Sequence, residues 1–215
     1  MLPLTTALLD TLKILMIGNS LSYYNQMPIT FSEYMNAQGL AVEMDTIFMP
    51  GSSLECLFIQ TLYPDIKICS PEVEATHQVW QRDNPQHAGF VKLLSGHDVI
   101  YLQAIPLEDD VLYEIISSID KNTGKDVAII VFQPYKNITW NEEVRKKELV
   151  KEYEYFNSHN KSEKVVLLPI GDLFDLQMKY DDRVKLLDST NHPTTYGSKL
   201  IAEMLGELVM EIMNK

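Results

Sequence analysis

Four short stretches of this chain, 13–17, 98–102, 127–132 and 165–168, are apolar almost from end to end. A strand with no polar face must be covered on both sides, and in soluble proteins that means a parallel sheet between layers of helix. The segments between the runs have helical spacing. Ile29, Phe31, Tyr34 and Met35 recur at helical intervals after Met27-Pro28 and stop at Gly39. Helices are expected likewise over 54–62, 111–119, 142–157 and 196–213. In the last, Leu200, Ile201, Met204, Leu205, Leu208, Val209 and Ile212 share one face. The stretch 41–49 alternates loosely and supplies a further strand. Pro50-Gly51-Ser52-Ser53 breaks it.

Strands alternating with helices, joined by right-handed crossovers, give a doubly wound sheet. The expectation is an α/β fold, a three-layer α/β/α sandwich with a five-stranded parallel flavodoxin-like sheet in the order 2-1-3-4-5. The whole chain, 1–215, reads as a single domain, with 1–12 a lead-in and 63–97 a less regular excursion that can lie near the site. Pro64, Pro71 and Pro85 punctuate that excursion, and a short helix over 88–94 leads out of it. There is no internal repeat.

Composition narrows the partners. Of the residues 46% are hydrophobic, enough for a core, and the formal net charge is -12, which opposes binding to a phosphate backbone or an anionic bilayer. The basic triplet Arg145-Lys146-Lys147 sits among Glu142, Glu143 and Glu148 and reads as a solvated helix face. Cys56 and Cys69 make no disulfide framework and no metal spacing. No run approaches the roughly 18 apolar residues of a membrane helix, and Met1-Leu2-Pro3-Leu4 has no basic leader. A cytoplasmic protein is expected, or a secreted one if a signal peptide has been removed, with no metal and no cofactor. Asn137-Ile138-Thr139 matches a glycosylation sequon, a pattern that arises often by chance.

In a parallel sheet, ligands bind beyond the carboxyl ends of the strands. Ser20 follows the first strand by two residues, Gly51 follows the second and Gln103 the third, while Asp188 and His192 precede the terminal helix. A serine hydroxyl is a poor nucleophile until a base takes its proton, and a histidine fits that task when another group fixes its tautomer. Ser20, His192 and Asp188 are therefore the candidate nucleophile, base and orienting group. The blander alternatives are a helix-capping serine, a packing histidine and an ordinary turn aspartate. His77, His87, His97 and His159 show no paired ligand spacing and read as surface or loop residues. Tyr23, Tyr24, Phe48 and Trp140 near strand ends can line an acyl or sugar pocket or merely pack.

Three blocks together resemble the SGNH (GDSL-type) hydrolases. Ile14-Leu15-Met16-Ile17-Gly18-Asn19-Ser20-Leu21 is similar to their first block, with Asn19 in place of the usual Asp. Pro50-Gly51-Ser52-Ser53-Leu54-Glu55 is similar to their glycine block, and Asp188 to His192-Pro193-Thr194 with Gly197 resembles their last. The resemblance implies a serine esterase or acylhydrolase acting on a small-molecule or carbohydrate ester, such as an acetyl ester of a sugar. Ser20 would attack and donate its backbone N–H to the oxyanion, Gly51 would donate a second, and His192 would serve as base and then acid.

Two departures stand out. The third block of the family, Gly-x-Asn-Asp, here reads Gln103-Ala104-Ile105-Pro106, so isoleucine replaces the side-chain oxyanion donor. Either Gln103 takes over or the hole has backbone donors alone. Asp188 also lies four residues before His192 rather than three. Either a bulge brings Asp188 to the imidazole or a backbone carbonyl orients it. These departures keep a rival reading open, a catalytically weak SGNH-like ligand-binding domain. An unrelated flavodoxin-like binding module is disfavoured by the single glycine near Ser20.

Overall fold

The computed structural model of the protein describes residues 11–48, 94–103, 127–136, 140–180 and 185–214, with Leu112, Tyr113, Ile116, Ser117 and Ile119 in helical conformation. Its sheet contains β1 (Leu12–Gly18), β2 (Val42–Phe48), β3 (Val99–Gln103), β4 (Ala128–Phe132) and β5 (Val165–Leu168). All pairings are parallel and the order is β2-β1-β3-β4-β5, the α/β arrangement expected. β1 is thus interior, with Ile17 registered against Ile47 on one side and Leu102 on the other.

Successive strand residues point to opposite faces, so an interior strand needs apolar side chains at every position. Ile14, Met16, Tyr101, Ile130 and Phe132 pack under one helical layer, while Leu15, Ile17, Ile100, Leu102, Ile129 and Val131 pack under the other. β2 is an edge strand and is fully buried only at Ile47, which is why its sequence alternates.

Five helices are described over their full length: α1 (Ser20–Tyr23), α2 (Met27–Ala37), α3 (Glu142–His159), α4 (Ile170–Tyr180) and α5 (Thr195–Met213), with a 3-10 turn at Tyr24–Gln26 between the first two. Phe31 and Met35 of α2, Phe174 of α4 and Ile201, Leu205 and Val209 of α5 form the core on one face. Phe156 of α3 packs with Leu112, Ile116 and Ile119 on the other. α5 also packs on α2, which brings the segment before the terminal helix beside the segment after β1.

Three features differ from the sequence expectations. α4 was not foreseen, although Ile170, Leu173, Phe174 and Met178 have helical spacing; Pro169 closes β5, and its carbonyl accepts the Leu173 N–H that opens the helix. Arg145 is not solvated but 3% exposed, because α3 turns this side chain toward α4. Its Nε donates to Asp175 Oδ1 at 2.8 Å and its guanidinium also donates to the Trp140 carbonyl. His97 is buried rather than a surface residue, with Nε2 2.9 Å from Asp45. The helix expected over 54–62, nearly all of that over 88–94, most of 63–97, both cysteines and Asn137-Ile138-Thr139 lie outside the described residues. Among the described residues no helix is long and apolar enough to cross a membrane.

Candidate active site

β1 ends at Gly18, and the chain turns at once into α1. Asn19 caps that helix through its side chain, Oδ1 accepting from the Leu21 N–H at 3.0 Å. Beneath the turn lies a buried polar network. Gln103 Oε1 accepts the Asn19 N–H at 3.0 Å, and Gln103 Nε2 donates to Asn19 Oδ1 at 2.6 Å. Because Asn19 Oδ1 also accepts from Leu21, the orientation of both amides is fixed by the bonds themselves. The buried Ser22 hydroxyl donates to Gln103 Oε1, so the Tyr101 hydroxyl, 3.1 Å away, must be the donor to Ser22 Oγ. Burial pushes the Tyr101 phenol well above its ordinary pKa, which keeps it a donor. Gly18 makes this packing possible: a Cβ there would lie 2.5 Å from Ser22 Oγ and 2.7 Å from Gln103 Oε1.

The histidine arrives from the far end of the chain. Leu187 and Pro193 bridge across a tight loop, closed further by the Asp188 N–H donating to the His192 carbonyl at 2.9 Å. Asn191 adopts a left-handed conformation, φ 60°, at the tip, and Tyr135 steadies it by donating its hydroxyl to the Asn191 carbonyl at 2.8 Å. Burial, and then the Asp188 charge, hold the Tyr135 phenol protonated. Thr194 caps α5 through the Gly197 N–H at 3.2 Å.

These two pieces are joined by contacts across most of the sequence. Asn25 Nδ2 donates to the Pro193 carbonyl, Ser198 donates to the Tyr24 carbonyl at 2.9 Å, and the rings of Tyr24 and His192 stack with centroids 4.4 Å apart. Asn25 and Gln26 are both left-handed, at φ 49° and 60°. Asparagine tolerates that region; for a residue such as glutamine it costs about 1–2 kcal/mol, which the docking of the turn onto α5 must offset.

The result is a serine and an imidazole in direct contact: Ser20 Oγ lies 3.0 Å from His192 Nε2, and both residues are partly exposed. His192 Nδ1 lies 2.8 Å from Thr190 Oγ1, and that oxygen lies 2.6 Å from Asp188 Oδ1. Asp188 spends its hydrogen bonds on Thr190, through both hydroxyl and N–H, and on the His192 N–H at 3.0 Å, rather than on the imidazole. Those bonds, the Thr190 hydroxyl first, hold its carboxyl below the usual carboxylate range.

No protein-family model matches the sequence, and no curated protein matches it significantly. Solved structures do resemble the fold. LAE5, an alpha/beta hydrolase enzyme from the metagenome of Lake Arreo, Spain, superposes with a TM-score of 0.55 at 14% identity, over 90% of this chain and 92% of its own. A catalytic mutant of Axe2, an acetylxylan esterase from Geobacillus stearothermophilus, gives 0.57 at 12% identity, over 93% and 92%. The periplasmic domain of a lipopolysaccharide acetyltransferase from Salmonella ser. Paratyphi A gives 0.52 at 12% identity, over 94% and 85%. The likeness is one of fold.

Of the residues singled out in the sequence, Ser20 and His192 meet, and Asp188 stands one hydroxyl removed. Gln103 is 2% exposed, with its Oε1 and one Nε2 bond engaged by Ser22 and Asn19, so its place is under the turn. Gly51 and Ile105 lie outside the described residues. Tyr24 covers one face of the imidazole, and Tyr23 packs on Phe48 with centroids 5.3 Å apart. Sequence reasoning passed over Thr190, Asn25 and Tyr135. The run Asp188-Ser189-Thr190-Asn191 did carry a signal, since such residues bond their own backbone in turns. Among the described residues no group of three or more His, Cys, Asp or Glu is arranged to hold a metal ion.

Proposed function

We propose that this protein is a serine hydrolase of the SGNH type that cleaves carboxylic esters through an acyl-enzyme. The observation that carries the reading is the 3.0 Å approach of Ser20 Oγ to His192 Nε2 at the carboxyl end of an interior strand. In the first step His192 takes the Ser20 proton as Oγ attacks the ester carbonyl. The tetrahedral intermediate collapses as His192 returns that proton to the leaving alcohol. Water, deprotonated by His192, then attacks the acyl-enzyme and releases the acid and the Ser20 hydroxyl.

The oxyanion donors in this reading are the backbone N–H groups of Ser20 and Gly51. Gln103 serves differently, as the support that holds the Asn19–Ser20 turn at its working height. Removing one oxyanion donor costs on the order of 100-fold or more in rate, so a two-donor site would be a modest catalyst. A small acyl group, acetyl on a carbohydrate, is the proposed substrate class. Two of the proteins with similar folds are described as an acetylxylan esterase and a lipopolysaccharide acetyltransferase, which supports acetyl chemistry on saccharides at the level of fold analogy.

The engagement of Gln103 with the turn favours one rival, a ligand-binding domain with little turnover. A serine-reactive fluorophosphonate separates the two. Together with hydrolysis of short-chain nitrophenyl esters, labelling of the wild type and not of Ser20→Ala is the expected result. An unlabelled, inactive wild type would replace the enzyme with the binding domain.

A further inference from the structure

We propose that Thr190 is the positioning residue of the histidine: its hydroxyl fixes the His192 tautomer and, polarised by the Asp188 carboxylate, stabilises the imidazolium. This rests on the serine-hydrolase reading above. A threonine hydroxyl has a single hydrogen and two lone pairs. An ionised carboxylate can only accept, so the 2.6 Å contact directs the Thr190 hydrogen to Asp188 Oδ1. At 2.8 Å from His192, the same oxygen can then act only as an acceptor. Nδ1 must therefore carry the imidazole proton, and Nε2 is left with its lone pair facing the Ser20 hydroxyl. That is the tautomer a general base at Nε2 requires.

The spacing of the loop explains why an intermediary is needed. Ser189 stands three residues before His192, and a carboxylate there would be one residue nearer the ring. Asp188 instead binds the backbone of the loop it belongs to, closing the turn through the N–H groups of Thr190 and His192. Thr190 then spans the remaining gap. Once His192 has taken the Ser20 proton, the imidazolium donates Nδ1–H to Thr190 Oγ1, whose own O–H continues to donate to the carboxylate. No proton leaves Thr190 or reaches Asp188. Among the described residues, the groups that contact the ring are Ser20 at Nε2, Thr190 at Nδ1 with Asp188 behind it, and the Tyr24 ring on one face.

The test uses the full chain in wild-type, Thr190→Val and Thr190→Ser forms. Valine keeps the shape and loses the hydroxyl; serine restores it. On a short nitrophenyl ester, Thr190→Val is expected to lower kcat by about 10–100-fold with KM within about twofold, and Thr190→Ser to recover most of the loss. Nitrogen-15 NMR of histidine-labelled protein supplies a readout independent of substrate. The His192 signal should report an Nδ1–H neutral imidazole in the wild type and in Thr190→Ser, and a shift toward Nε2–H in Thr190→Val. An Nε2–H tautomer in the wild type, or an active Thr190→Val enzyme with unchanged kcat, would overturn the assignment. A wild type that takes no fluorophosphonate yet shows the Nδ1–H tautomer would instead overturn the hydrolase reading.

Discussion

The Tyr24 ring lies over the His192 ring, with centroids 4.4 Å apart and 24° between their planes. One residue thus links the turn that follows the serine's helix to the loop that carries the histidine. Removing the ring should free the imidazole to swing from Ser20. Stacked aromatic pairs are worth about 0.5–1.5 kcal/mol, so Tyr24→Ala is expected to slow fluorophosphonate labelling roughly threefold to tenfold, and Tyr24→Phe to leave it near the wild-type rate. Second-order labelling rates for the three proteins check this.

Gln103 offers a sharper distinction. If it supports the turn, Gln103→Leu removes the buried acceptor shared by the Asn19 N–H and the Ser22 hydroxyl, at about 1–3 kcal/mol for each bond lost. Urea unfolding should then show a loss of about 2–6 kcal/mol alongside a fall in labelling. An oxyanion donor would behave otherwise, with activity lost and stability little changed.

Asp188 makes stability depend on pH in a defined window. Its carboxyl titrates lower in the folded protein than in the unfolded chain, where the value is about 4. The ionised form therefore stabilises the fold fully above that value, and the contribution fades as pH drops through the lower folded value. The stability difference between wild type and Asp188→Asn should be flat from pH 8 to about 5 and shrink below about 4. Urea titrations across that range measure it, and a difference that narrowed between pH 7 and 5 would point to another group.

Arg145 and Asp175 form an ion pair whose side chains are only 4% and 8% exposed. Breaking it from one side leaves a buried charge without its partner. Asp175→Ala is expected to cost about 3–5 kcal/mol, whereas the double change Arg145→Met with Asp175→Leu should recover much of that loss. Thermal or urea unfolding of the single and double variants decides it.

The sheet could be read from the chain because its interior strands are buried on both faces, and that requirement marks every residue of Ile14–Ile17 and Val99–Leu102. Ser20 and His192 were visible for a related reason: Ser20 opens the helix after β1, and His192 stands in the loop that leads into α5. What decides how His192 is held was not visible. It depends on the direction of the Thr190 hydroxyl within a loop turned by a left-handed Asn191, and no periodicity encodes either. Gln103 was located correctly at a strand end, but its amide points under the turn, a matter of one rotamer. Arg145 was hidden by its neighbours, since Lys146 pairs with Glu142 on the helix surface while the adjacent guanidinium is turned inward.

Ser20 and His192 are separated by 172 positions along the chain, and the contacts that join them come from Tyr24, Asn25, Pro193 and Ser198. Synthesis runs from the amino terminus, so the hydroxyl leaves the ribosome long before the imidazole is made. Until α5 has been completed and has settled onto α2, the Ser20 hydroxyl has no imidazole beside it to take its proton. On the proposed hydrolase reading, reactivity is therefore acquired in one late event, and a fragment that stops short of the final loop is expected to be inert toward esters.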